Sequence, residues 1–179
     1  MSTTNPPQSG PAAASPRLGD DDPAPVLLDE SKGDPIQVVG FEVGSERYAL
    51  DILRVREINR MLPVTRVPEA PPAVRGIINL RGTILPLIDL RERFGRDASG
   101  KGPDLRILVS ESGGRSLGFI VDRVTEVQLI DPEVIGPART ILAGLDADLV
   151  TGVARFEDRL VTLLDAEKLI ESELARAAA

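Results

Sequence analysis

Arg75-Gly76-Ile77-Ile78-Asn79-Leu80-Arg81-Gly82-Thr83-Ile84-Leu85-Pro86-Leu87-Ile88-Asp89 consists of two apolar runs bent around Arg81-Gly82-Thr83. Runs this short, rich in β-branched residues and separated by a glycine, predict a β-hairpin. The pattern returns 76 residues later, where Gly152-Val153 answers Gly76-Ile77 and Leu160-Val161-x-Leu163-Leu164-Asp165 answers Ile84-Leu85-x-Leu87-Ile88-Asp89. An earlier stretch, Arg54-Val55-x-Glu57-Ile58, returns as Arg123-Val124-x-Glu126-Val127 at an offset of 69. The change of offset places the difference in length within the intervening connection. The chain therefore reads as two copies of one unit.

Working outward, Ile36–Val43 and Glu46–Leu50 flank Gly44-Ser45 as a further hairpin, with Val39, Phe41 and Val43 on one face. Leu53 to Ile58 fits a strand end or a helical turn. Pro63, Pro68, Pro71 and Pro72 mark an irregular connection, because proline cannot donate to a central ladder. In the second half Leu105–Glu111 and Arg115–Val121 flank Ser112-Gly113-Gly114, Val124–Ile130 follows, and Leu149–Phe156 pairs with Arg159–Asp165 around Glu157-Asp158. Short helices close the units at Leu90–Phe94 and from Ala166 to about Arg176. Two units of about five short strands predict an all-β body with short helices. Five short strands curl and close to hide their edges, so each unit is expected to form a small barrel, about 36–104 and about 105–165. Residues 1–34 stand apart, with six prolines and two basic against six acidic side chains, and predict a disordered tail whose apolar patch is Val26–Leu28. The structured domain is expected over 35–171, and 166–179 form a terminal helix and tail.

Composition excludes most chemistry. The 179 residues contain no histidine, cysteine or tryptophan. Thiol nucleophiles, imidazole acid–base schemes and Cys/His zinc sites are thereby removed, and no cofactor or metal site is expected. A net charge of −7 with 3% aromatic residues disfavours nucleic acid, and no apolar run is long enough for insertion into a membrane. Asp89 and Asp165 end equivalent strands just before helices and are expected to be N-caps rather than an acid–base pair. Ser110, Ser112 and Ser116 are read as turn residues. No catalytic residue is expected, and the chain is expected not to be an enzyme. Arg81 is different: alternation along the strand turns Asn79 and Arg81 away from Ile78 and Leu80, and Gly82 permits the turn that presents the guanidinium fork. An internal Arg81–Glu57 pair and a partner-facing Arg81 both fit this stretch.

Residues 36–171 resemble the CheW family of chemotaxis coupling proteins. The resemblance rests on Phe41-x-Val43-Gly44-x5-Leu50-x-Ile52, Val55-Arg56-Glu57-Ile58, Val67-Pro68-x-Ala70-Pro71 and above all Arg75–Arg91. Gly118-Phe119-Ile120-Val121-Asp122-Arg123-Val124 and Leu163-Leu164-Asp165 extend it through the second half. The resemblance implies two five-stranded SH3-like barrels and an adaptor that joins the cytoplasmic tips of methyl-accepting chemoreceptors to the regulatory domain of a CheA-type histidine kinase. It also implies recruitment of a cytoplasmic protein to receptor arrays, and rings that include other CheW-like proteins. The same architecture serves swimming and surface-sensing pathways, including those of pili and gliding. Carried over residue by residue, Glu57, Gly76 and Arg81 match positions tied to coupling, and Val55 would line the surface that receives a receptor helix. Asn79 and Gly82 join them through the turn stretch, while Val121 and Val124 are assigned to the kinase. The proline-rich tail has no match in the family.

Overall fold

The computed structural model describes residues 33–96, 102–137 and 145–179. The tail, apart from its last two residues, lies outside them, and so does its Val26–Leu28 patch. Ten strands follow one another as β1 (Ile36–Val43), β2 (Glu46–Asp51), β3 (Val55–Arg60), β4 (Val74–Leu80), β5 (Thr83–Asp89), β6 (Arg106–Ser112), β7 (Arg115–Val121), β8 (Arg123–Ile130), β9 (Val150–Phe156) and β10 (Arg159–Leu164). Helix α1 (Leu90–Arg93) follows β5 and α2 (Ala166–Ala178) follows β10. Ile52–Arg54 is a 3-10 turn that leads into β3, so Leu53–Ile58 is a helical turn and then a strand.

All four hairpins turn on two residues, so Thr83 and Ser112 belong to strands rather than to the loops. Asp89 and Asp165 are N-caps, accepting from the backbone N–H of Arg91 and of Glu167 and Lys168. Ser110 and Ser116 are corrected: Ser110 lies in the middle of β6, fully buried, and Ser116 lies within β7 opposite Glu111, neither in a turn. The neighbours of Ser110 are one apolar, Val109, and one polar, Glu111, so alternation along this stretch does not mark its buried side.

Two five-stranded sheets form, as expected for an SH3-like architecture. Sheet 1 has the order β8-β1-β2-β10-β9 and sheet 2 the order β3-β6-β7-β5-β4. Neither sheet is drawn from one half of the chain. Replacing each strand by its repeat counterpart (β1 by β6, β2 by β7, β3 by β8, β4 by β9, β5 by β10) converts one order into the other. The first hairpin of each half therefore pairs with the last three strands of the other half, through the parallel ladders β2·β10 and β5·β7. The units at about 36–104 and 105–165 are repeats, but they are not separate barrels. Hydrophobic alternation records which face of a strand is buried and is satisfied equally by a partner from either half.

The exchange welds the sheets together. Val39, Phe41, Tyr48 and Leu50 of sheet 1 share one central core with Leu108, Leu117 and Phe119 of sheet 2, and Leu169 and Ile170 of α2 complete it. On its other face each sheet curls around a smaller core, Val38, Ala49, Val161 and Leu163 in sheet 1 and Ile78, Leu85, Leu87 and Ile107 in sheet 2. No full ladder joins the two edge strands of either sheet. Instead, among the described residues, an isolated bridge spans each gap: Thr65 exchanges hydrogen bonds of 2.9 and 2.8 Å with Ile77, and Gly136 exchanges bonds of 2.8 and 2.9 Å with Val153.

Gly76 is explained by that bridge. Its φ is +141°, and a Cβ there would lie 2.2 Å from the Thr65 carbonyl oxygen. Only glycine lets the two backbones approach so closely.

Candidate functional site

The site is built on the tip of sheet 2. Arg81 (φ 51°) and Gly82 (φ 86°) are both left-handed, the pairing a two-residue hairpin of matching twist demands. The side-chain oxygen of Asn79 accepts from the backbone N–H of Gly82 at 2.8 Å and holds the turn. A left-handed arginine costs roughly 1–2 kcal/mol against its right-handed form, yet the position carries one, and its side chain is 78% exposed.

Glu57 reaches the same place by a bulge. In the β3·β6 ladder Val55 stands opposite Ser110 and Glu57 opposite Val109, so Arg56 is the extra residue. The bulge turns Val55 towards the central core and Glu57 to the opposite face. A Glu57 carboxylate oxygen then lies 3.0 Å from the Arg81 guanidinium. With Arg81 largely in water, such a pair contributes at most about 1 kcal/mol, and the fork remains open to a second carboxylate. Beside it, Arg56, Leu80, Thr83 and Ser116 line a depression of about 310 Å³, and Arg56 pairs with Glu111.

Asn79, Arg81, Gly82 and Glu57 are thus brought together, with Val55 two residues before Glu57 on β3. Two other expected site residues are not available to a partner. Gly76 is buried at the Thr65 bridge, where it serves closure of the sheet. Val121 is 0% exposed within the central core, because it ends β7 on the face that packs between the sheets. Val124 is half-buried at the rim of that core, as is its counterpart Val55.

Sequence reasoning missed two largely buried charge networks around α1, at the opposite end of β5 from the Arg81 turn. Arg91 donates from Nε and Nη2 to the two carboxylate oxygens of Asp89 at 2.8 and 2.7 Å and from Nη1 to Asp122 at 3.4 Å. Asp122 also accepts from the Gly44 backbone at 2.6 Å, so the network ties α1 to the first hairpin of sheet 1. The Asp89 contact holds the Arg91 guanidinium above its ordinary value, against the opposing effect of burial. Arg93 pairs with the buried Glu173 of α2 and, at 2.8 Å, with Asp146. The one signal in the sequence was an arginine two places after a capping aspartate. Among the described residues no group of three carboxylate, histidine or cysteine side chains could hold a metal ion, and no helix is long and apolar enough to cross a membrane.

The CheW-like domain family matches residues 37–174, which span both sheets and most of α2. The chain belongs to the CheW family. Chemotaxis protein CheW of Helicobacter pylori is 38% identical over 144 residues, 80% of this chain and 87% of that protein. Chemotaxis protein CheW of Klebsiella aerogenes is 37% identical over 74% of this chain and 80% of its own length. Among solved structures, the scaffolding protein TtCheW from Thermoanaerobacter tengcongensis superposes with a TM-score of 0.71 at 38% identity, covering 78% of this chain and 90% of that one. Members of the CheW family are scaffold proteins in general, and the fold described above is theirs.

Proposed function

We propose that this CheW-family chain is a non-enzymatic adaptor that holds the cytoplasmic tip of a methyl-accepting chemoreceptor together with a CheA-type histidine kinase. The observation that carries the reading is Arg81: a fully formed cation fork, mostly in water, on a turn that tolerates arginine only at a cost. Its position suits a bidentate contact with a partner's carboxylate. Val55 at the core rim supplies an apolar contact that a receptor helix would pack against, and Val124, its counterpart in the other half, is left to the kinase.

The two sheet tips suit assembly as well. Arg81 stands near the exposed Ile84, and the counterparts Glu157 and Leu160 stand on sheet 1. A cationic, apolar tip on one molecule complements an acidic, apolar tip on the next, whether that is another CheW-like protein or the kinase's regulatory domain. Head-to-tail contacts of this kind build rings where the rotation between neighbours closes. Such rings would be recruited to the cytoplasmic face of receptor arrays.

Reconstitution of receptor, kinase and adaptor tests the reading. Arg81→Glu should weaken recruitment about tenfold or more while leaving the melting temperature near wild type, since losing a desolvated charge contact costs roughly 2–5 kcal/mol. Equal coupling by Arg81→Glu would remove Arg81 from the site. Failure of the unmodified protein to bring kinase to receptor would overturn the adaptor reading itself.

A further inference from the structure

We propose that the end of sheet 1 where β1 begins is a second docking face, which takes a basic amphipathic helix of a partner protein. Leu53 is 87% exposed and Leu129 is 64% exposed. With Ile36 and Ile52 they line a depression of about 290 Å³. Ile36 and Asp51 continue into a second depression of about 340 Å³, whose floor includes Val38, Ala49 and Leu163 of the smaller core.

The repeat supplies an internal control. At an offset of 69, the counterpart of Leu53 is Asp122, that of Leu129 is Arg60 and that of Asp51 is Ile120. In the sheet 2 copy Asp122 is buried in the Arg91 network, Arg60 is exposed, and Ile120 lies in the core at 1% exposure. The sheet 1 copy sets two leucines in water, Leu53 where Asp122 is buried and Leu129 where Arg60 is exposed, and an aspartate where the isoleucine was. Folding does not require exposed leucines at these places, because the other copy of the same unit manages without them. Paired exposed leucines over a preformed depression are the mark of a binding surface.

Charge selects the occupant. Asp34, Asp51, Asp165 and Glu167 surround the two depressions, and the one cation among their lining residues, Arg54, is held by Glu167 at 2.5 Å. A phosphate backbone or an anionic lipid surface would meet these carboxylates unfavourably. A helix with leucines three and four places apart and lysines or arginines beside them satisfies both the apolar floor and the acidic rim.

The test uses two synthetic helices of about 18 residues with the same leucine stripe, one carrying lysine and the other glutamate at the remaining positions, titrated against the full chain by fluorescence anisotropy. The lysine helix is expected to bind and the glutamate helix to bind at least about tenfold more weakly, the scale of a complementary rim. Leu53→Asp and Leu129→Asp decide between a docking face and simple charge attraction. Each adds a carboxylate, so charge attraction alone would strengthen binding, whereas loss of a buried leucine contact weakens it about tenfold. Val67→Asp, at an exposed apolar residue that lines neither depression, should leave affinity within about twofold. Absence of binding by the lysine helix, or binding that survives both leucine substitutions, would overturn the proposal. Weakening by Val67→Asp to the same degree would do so too, as it would show attraction without a place.

Discussion

The tip of sheet 2 is Arg81-Gly82 and the tip of sheet 1, at the same place in the repeat, is Glu157-Asp158. Arg81 and Glu157 share a left-handed backbone, with φ of 51° and 50°. The charges are opposite. At this spot the fold demands a conformation and is indifferent to the side chain, so the side chain is available for recognition. At the other end of the same strands the reverse holds. Gly76 and Gly152 are both glycine because each lets a bridge close, Thr65 to Ile77 in one sheet and Gly136 to Val153 in the other. Identity between the halves therefore marks what folding needs, and divergence marks where partners can be read.

The strongest way to break that comparison is to load both closing glycines. A Cβ at Gly76 would meet the Thr65 carbonyl oxygen at 2.2 Å on a backbone with φ +141°. Gly152 has no such φ, and its tightest neighbour at 2.3 Å is a methyl group of the Ile135 side chain, which can move, although the Gly136 carbonyl lies at 2.9 Å. Gly76→Ala should cost about 4 kcal/mol, the sum of backbone strain and overpacking, and Gly152→Ala about 2 kcal/mol. Urea denaturation of the two variants measures the difference. Equal costs would mean that the left-handed strain at Gly76 is not what separates them.

The buried network comes next. Arg91 follows the capping Asp89 by two residues, and Glu167 follows Asp165 by two. Arg91 is enclosed with Asp89 and Asp122, whereas Glu167 meets Arg54 with both side chains nearly half in water. Removing one member of a buried ion group strands the others, so Arg91→Met should cost about 3 kcal/mol or more. Glu167→Gln should cost less than about 1 kcal/mol. A small effect at Arg91 would show that Asp89 and Asp122 find other donors, and the sheets would then not depend on this tie.

These contrasts also explain what could be read in advance. The hairpins and the two caps are legible because each is a local pattern: alternation, a turn dipeptide, an aspartate before a helix. The Glu57–Arg81 pair is one of two readings the turn stretch allows, and the β3 bulge brings the two side chains together. The exchange of strands is not legible, since a parallel β2·β10 ladder and a hypothetical β2·β5 ladder would present the same alternation. The roles of Gly76 and Val121 are hidden for a related reason. Both sit in stretches whose similarity to the family is high, but similarity alone does not separate a residue that touches a partner from one that permits the backbone to pass or fills the core. The Arg91 network is hidden because Asp122 lies 31 residues from Arg91 and only the fold brings them together.

The turns themselves offer a finer cut. If the left-handed backbone is all that the two tips share, glycine should relieve both. Glu157→Gly should stabilise by roughly 0.5–1 kcal/mol, the left-handed penalty less the added freedom of the unfolded chain. Arg81→Gly should gain less, because it also gives up the contact with Glu57. Equal gains would assign that contact no stabilising value and leave Arg81 wholly to partners.

The smallest expected effect distinguishes the halves by pH. Asp146 is held by Arg93 and Arg176 beside α2, and at the offset of 76 its place in the first half is taken by Ala70. The hydrogen bond from Arg93 keeps the Asp146 carboxyl below its ordinary value. The folded protein therefore takes up that proton less readily than the unfolded chain does. Stability from this source is complete above about pH 5, begins to fall as the pH drops through the usual aspartate value of about 3.9, and is gone below the lowered folded value. Asp146 is half exposed, so the contribution is screened and only a shift of a few degrees in melting temperature is expected. Melting curves of the unmodified protein and Asp146→Asn should differ by a constant amount at neutral pH and converge in acid. A difference that persists unchanged to low pH would mean that the asparagine disturbs packing beside α2, and the charge of Asp146 would then have no part in holding that helix.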